Sequence, residues 1–335
     1  MTRESRTKHL EKLVGGTPLV RIRGRLKGRG FEVFAKLETL NLTGSIKDRM
    51  ALHILDQAAR CGRLDVGAPI YEASSGNTGI SFAAIGRALG HKVRIYMPDW
   101  LSRERVMLIE GFGAEVVPIS RAEGGFIGAI ARAEEDIRKV GGFLPRQFEN
   151  EDNVLAHYHG TGPELLRQVR AMGREPSHFV AGVGTGGTVM GIGRYLTEQV
   201  PGISIHPLEP ANSPTMRTGE RRGNHRIQGI SDEFIPAIVK LEELGEIVDV
   251  WDGDAIIMAQ RLAAELGLGV GISSGANFLG AVQLATGAKS DAVVTTVFAD
   301  SNKKYLSTDL WHRETVLDNY MSPDIELLDF DTVGA

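Results

Sequence analysis

The sequence predicts an α/β fold in two domains, each a mainly parallel twisted sheet flanked by helices. Three observations carry this. Short β-branched runs alternate with amphipathic runs at helical spacing, the pattern of strand–helix units that build parallel sheets. The chain has 335 residues, room for about two domains. Its 41 glycines are not periodic and cluster at the ends of expected strands, where tight strand-to-helix turns use them.

In chain order the expected strands are 32–37, 70–73, 93–97, 115–119, 179–183, 203–208 and 292–298. The expected helices are 48–60, 78–89, 103–111, 126–139, 163–172, 188–199, 255–266 and 276–285. The polar stretch PRQFENEDN (145–153) separates two groups of these units, and a domain boundary is expected there. PANSPTMRTGERRGNH (210–225) lacks periodicity and reads as a long loop of the kind that is often functional. Its Arg217, Arg221 and Arg222 suit an anionic substrate or partner, or a solvated charged loop.

Composition excludes several classes. Hydrophobic residues are 42% and charged residues 24%, ordinary for a globular enzyme, and the net charge of −4 offers no basic footprint for nucleic acid. Cys61 is the only cysteine, so an intrachain disulfide is impossible; it reads as a residue at a helix end. His157 and His159 form an H-x-H pair with no third ligand nearby, so no metal is expected. The N-terminus is charged without an apolar core, and no apolar run approaches 18 residues. No membrane contact and a cytoplasmic location are expected.

Four places are chemically unusual. In LTGSIKDRM a lysine, Lys47, stands at an expected helix start, with Ser45 as N-cap and Asp48 in the first turn. A cation there faces the positive end of the helix dipole; it reads either as a solvated surface lysine or as an amine whose lowered pKa favours attack on an aldehyde. In YEASSGNTG, Ser74, Ser75, Asn77 and Thr78 surround Gly76 at a second helix start, more polar groups than one cap needs and a donor set for a carboxylate. In GVGTGGT an apolar strand runs into Gly184–Thr188 and a helix, a phosphate cradle with Thr185 and Thr188 as added donors. The same stretch satisfies G-x-G-x-x-G at Gly182, Gly184 and Gly187, with Glu209 ending a later strand; that is formally a nicotinamide-dinucleotide fingerprint and leaves an NAD-dependent oxidoreductase open. In GISSGA, Ser273 and Ser274 precede a helix and read as caps.

TGSIKDR, SSGNTG, GTGGT and GISSGA occur in this order over some 230 residues, and with NHRIQGI, RQFENEDN, GTGPELL and DSNKKYLST they closely resemble the cysteine synthase (O-acetylserine sulfhydrylase) and cystathionine β-synthase family. The likeness runs from GGTPLV to Thr308. It implies the tryptophan synthase β-like fold, called fold type II, and pyridoxal 5'-phosphate (PLP) as cofactor. It further implies a smaller domain at 45–150 carrying SSGNTG and a larger one at 1–44 plus 151–320 carrying GTGGT, a homodimer, and an amino-acid substrate. By the resemblance Lys47 forms the Schiff base with PLP and acts as general base. Gly184, Thr185, Gly186, Gly187 and Thr188 hold its phosphate, Asn77 its ring oxygen, and Ser273 faces its ring nitrogen. Ser74, Ser75, Gly76, Thr78 and Gln147 bind the substrate carboxylate, with Gly229 of IQGI beside them. The implied reaction is β-replacement on an activated serine or cysteine through an aminoacrylate, foremost cysteine synthesis from O-acetyl-L-serine and sulfide.

Two departures qualify this. Ala73 and Ser74 stand where the family usually has Pro-Thr, although the hydroxyl persists. After IQGI the chain reads Ser231, Asp232, Glu233 in place of a glycine-rich stretch. Both acids could face solvent on a loop; but a carboxylate deprotonates water more readily than it helps an anionic hydrosulfide approach, so Asp232 as base points to an alternative: cysteine converted to serine and sulfide. A non-catalytic binding protein on the same scaffold is a third class, opposed by the intact Lys47 and Asn77.

Overall fold

The computed structural model describes residues 3–74, 76–100, 102–220, 222–231, 234–287 and 292–334. In chain order the elements are α1 (Arg3–Leu10), β1 (Leu19–Leu26), β2 (Arg29–Leu37), α2 (Lys47–Arg60), β3 (Ile70–Ala73), α3 (Asn77–Leu89), β4 (Val93–Pro98), α4 (Arg103–Gly111), β5 (Glu115–Ile119) and α5 (Gly125–Val140). Then follow α6 (Glu151–Ala156), α7 (Gly162–Ala171), β6 (His178–Gly182), α8 (Gly187–Gln199), β7 (Ser204–Pro210), α9 (Thr215–Thr218), β8 (Val248–Val250), α10 (Asp252–Leu266), α11 (Ile272–Gly287), β9 (Val294–Phe298) and β10 (Ile325–Val333). One turn of π-helix, His157–Thr161, joins α6 to α7.

The strands form two sheets. The smaller, β3-β4-β5, is parallel throughout. The larger has the order β10-β1-β2-β9-β6-β7-β8, parallel from β2 to β8, with β1 antiparallel to both neighbours. Period-two alternation places its side chains. Val33, Ala35 and Val180 face a cluster with Ile256, Met258 and Leu279 of α10 and α11. Phe34, Phe179 and Ala181 face the other side, against Leu165 and Val189 of α7 and α8. A strand covered on both faces is buried without alternation, as in β9, VTTVF, where all five residues are buried. The smaller sheet packs on α2 and α3 through Met50, Ile54, Leu55, Ile80 and Phe82.

Each expected strand and helix is present, its ends displaced by four residues or fewer. Others were not expected. β1 and β10 pair at the sheet edge, where Arg21, Arg23 and Arg25 face Asp331, Asp329 and Glu326. β10 is mostly exposed and is held by its ladder to β1, so apolar periodicity does not announce it. It also carries the larger sheet past residue 320. The polar stretch 145–153 is no solvated linker: Gln147 and Asn153 are buried, and Asn150 caps α6. Within 210–225, residues 215–218 are helical; Arg217 donates to Ile247 O and pairs with Asp249, Arg222 pairs with Glu220, and Arg221 lies outside the described residues. Among the described residues no helix is long and apolar enough to cross a membrane.

Candidate active site

A cleft of about 860 Å³, counting its mouth, opens at the carboxyl ends of β3, β6 and β9, the place where open α/β sheets bind ligands. Lys47, Ser74, Gly76, Asn77, Thr78, Gln147, Gly184, Thr185, Gly186, Thr188, Gly229 and Ser273 all line it. Gly187, the first residue of α8, does not line it. Ser75, Asp232 and Glu233 lie outside the described residues.

Lys47 is the first residue of α2, and its two successors hold it there. The Asp48 carboxylate, wholly buried, accepts from Thr43 N, Thr43 Oγ1 and Ser81 Oγ, each at 2.6 Å. The Arg49 guanidinium is clamped by Glu38 at 2.6 Å and Glu164 at 2.7 Å. The helix starts differently from expectation. Ile46 is the N-cap, in helical conformation and without a side-chain bond, and Ser45 Oγ is buried with no partner. Asp48 takes over the task of tying the turn down.

In the β3–α3 turn, Ser74 Oγ accepts from Gly76 N (3.1 Å) and Gly79 N (2.8 Å). With its lone pairs filled, the hydroxyl keeps its proton to donate. Thr78 Oγ1 donates to Gln147 Oε1 (2.7 Å), and Gln147 Nε2 donates to Ala73 O (2.8 Å), which locks the turn against residue 147. Asn77 is held at both ends of its amide: Nδ2 donates to Asp300 Oδ2 (2.6 Å) and Oδ1 accepts from Lys304 Nζ (2.9 Å). An amide nitrogen carries two hydrogens, so a second remains for a ligand.

In the β6–α8 loop a Cβ on Gly184 would lie 2.2 Å from Gly229 O, and one on Gly187 2.0 Å from Asn153 Oδ1. Gly186 adopts φ +92°. Only glycines permit so close a loop, and the first N–H groups of α8 have no intrahelical acceptor. Thr185 Oγ1 accepts from Asn153 Nδ2 (2.9 Å), again leaving a hydroxyl proton to donate. Ser273 and Ser274 sit inside the first turn of α11, so they are not its caps; Ser274 Oγ accepts from Ala299 N (2.9 Å) while Ser273 lines the cleft.

A model of the family described as "Pyridoxal-phosphate dependent enzyme" matches residues 10–300. A probable cysteine synthase of Bacillus subtilis is 41% identical over 300 residues, covering 89% of this chain and 96% of that one. A crystal structure of a hydrogen sulfide-producing enzyme from Fusobacterium nucleatum is 51% identical, covers 99% of this chain and 100% of that chain, and superposes with a TM-score of 0.97. The D232N mutant of that enzyme, in complex with an α-aminoacrylate intermediate, superposes at 0.96. The chain belongs to the cysteine synthase family of PLP-dependent enzymes.

The cleft suits the family's cofactor. A dianionic phosphate matches the glycine loop with its two hydroxyls and the positive end of α8. A neutral serine hydroxyl, not a carboxylate, is available at Ser273 for a ring nitrogen. Gln228 Oε1, buried in the cleft wall without a partner, is a further acceptor. When bound, PLP supplies the electron sink for chemistry at Cα and Cβ. Glu209 does not serve a dinucleotide: its side chain is fully buried, with Oε2 accepting from Met216 N (2.7 Å), so it is out of a ribose's reach.

Family motifs did not single out every lining residue. Arg105, on α4, is 3% exposed, stacks over the Tyr305 ring at 5.4 Å and lies where a Cβ on Gly76 would be 2.9 Å away. Its segment, SRERVMLIE, reads as an ordinary amphipathic helix. Lys304 is buried beside Asn77; burial lowers its pKa, while Asp300 and Asp48 oppose that.

Proposed function

We propose that this enzyme exchanges the β-substituent of an L-serine- or L-cysteine-type substrate, making cysteine from O-acetyl-L-serine and sulfide. The observation that carries the reading is the meeting, in one cleft, of Lys47, a turn built for a carboxylate and a loop built for a phosphate. Lys47 Nζ carries the cofactor and, once released, takes the proton from Cα and later returns it. Asn77 and Ser273 orient the cofactor ring, and Gly184, Thr185, Gly186, Gly187 and Thr188 hold its phosphate. Ser74, Ser75, Gly76, Thr78 and Gln147 fix the substrate carboxylate, with Gly229 closing the wall. Residues 45–150 and the remainder act as two units around the cleft, in a cytoplasmic homodimer.

A second reading has specific support: release of sulfide from cysteine, with Asp232 taking a proton from water as the oxygen adds at Cβ and hydrosulfide leaves. The wider likeness is to the sulfide-producing enzyme, over 99% of the chain against 89% for the synthase. That enzyme's D232N mutant holds an aminoacrylate, and this chain also has aspartate at position 232.

PLP-loaded protein would be assayed in both directions. Cysteine should form from O-acetyl-L-serine and sulfide. Serine and sulfide forming from cysteine at a higher kcat/KM, and lost in Asp232→Asn, would select the second reading. Neither product would overturn both.

A further inference from the structure

Beside the cleft lies a second cavity of about 690 Å³, counting its mouth, between α5, β3 and residues 234–237. Its walls are apolar, with Ile130, Leu144, Phe148 and Phe234 prominent. Among them stands Glu72 of β3, only 3% exposed. One carboxyl oxygen, Oε1, accepts from Ala73 N at 2.9 Å; the other, Oε2, is buried with no hydrogen-bond partner. An unmet buried polar atom costs about 1–3 kcal/mol, and a ligand donor arriving through the cavity would recover it. The other charged lining groups are Glu134, Glu149 and Arg146. Arg146 is already engaged, donating to Glu134 at 2.6 Å and lying 3.5 Å from Glu149. Two carboxylates, Glu134 and Glu149, against one guanidinium leave the lining net negative, which favours a cation.

We propose that this cavity binds a small apolar amine, its ammonium donating to Glu72 Oε2 and its hydrocarbon body packing on Phe148 and Phe234. The ammonium belongs either to a simple alkylamine or to an apolar amino acid. Burial pushes the Glu72 carboxyl up to about 8, against the pull of the Ala73 amide and the Arg146 charge. The empty site is therefore protonated at neutral pH, and an arriving ammonium displaces that proton. Affinity should rise by up to about tenfold per pH unit between pH 6 and 8.

The cavity adjoins the machinery of the cleft. Glu72 leads directly into Ala73 and Ser74, and Phe148 lines both spaces. Its ring meets Phe126 and Phe234 edge-on at 5.7 and 5.1 Å. Occupation should therefore move KM more than kcat. This coupling rests on the roles given above to Ser74, Thr78 and Gln147.

The test is calorimetric titration of PLP-loaded enzyme, without substrate, with 3-methylbutylamine and with L-leucine. Saturable binding of the amine is expected, strengthening from pH 6 to 8, with the visible absorbance of PLP unchanged; binding of leucine as well would extend the ligand class to amino acids. Glu72→Gln should weaken binding at least tenfold and flatten its pH dependence. Ala237→Trp, at an exposed position in the lining, should block binding with Glu72 intact. No saturable binding of either compound at pH 8, or equal binding by wild type and both variants, overturns the proposal. Binding is read without substrate, so if only the carboxylate-turn roles are wrong, binding persists and KM stays still.

Discussion

Ser74 and Thr185 illustrate how single side chains are prepared here. Each hydroxyl oxygen already accepts from protein donors, so its own proton is the part left for an anion. Asn77 follows the same logic, with Asp300 and Lys304 fixing the amide before any ligand arrives. Lys47 differs, because the role proposed for it is a covalent bond. In Lys47→Ala, β-replacement should fall by about 10²–10⁴-fold, and PLP should dialyse away. Borohydride reduction followed by mass spectrometry should find the cofactor mass on residue 47 in the wild type and nowhere in the variant. Serine and asparagine around SSGNTG were legible from the sequence as ligand donors. Arg105 and Lys304 were not, because nothing in their own segments records which turn they pack against.

At the scale of elements, α2 carries the argument. Its first turn is pinned by the Arg49 ion pairs, and Lys36 joins them through Glu164 at 2.8 Å. Arg49→Ala leaves the buried Glu38 and the half-buried Glu164 with much of their countercharge gone, a loss of about 3–5 kcal/mol that urea unfolding would measure. The same region sets an acid limit. Burial disfavours the Glu164 carboxylate, but Arg49 and Lys36 outweigh it and hold its pKa down to about 2. Burial, then the charges of Lys47 and Arg49, push His157 down to about 3. Both folded pKa values lie below the ordinary ones, so both groups bind fewer protons folded than unfolded. The His157 contribution is lost as pH falls from 6.5 toward 3, and that of Glu164 from 4.5 toward 2. The thermal midpoint should drop steadily from pH 6.5 to 3, and His157→Gln should flatten the upper part of the fall. A midpoint unchanged between pH 6.5 and 5 in wild type would refute the His157 part.

At the scale of the whole molecule, the two sheets place the cleft and the edge strands close the larger one. β10 covers β1 along eight paired positions, reinforced by Arg21–Asp331 and Arg23–Asp329. Removing residues 322–335 would uncover the edge of β1, an open template for another chain. The truncated protein should lose stability and aggregate, which light scattering during refolding would detect. A truncated protein as monodisperse and stable as the full chain would show that the edge needs no cover.

What the amino-acid order determined by itself was local: the strand–helix alternation, the glycine-dense turn between a strand and a helix, and the polar turns at helix starts. These depend on neighbours within a few residues, so spacing records them, and the ordered motifs were enough to recognise the family. Only the tertiary structure decided that Asp48 rather than Ser45 anchors the lysine, that Glu209 is buried beside Met216, that β10 pairs along β1, and that Glu72 keeps one oxygen unpartnered beside a second cavity. Each of these is a contact between distant segments, set by how two sheets and their helices share space, and no local period encodes it.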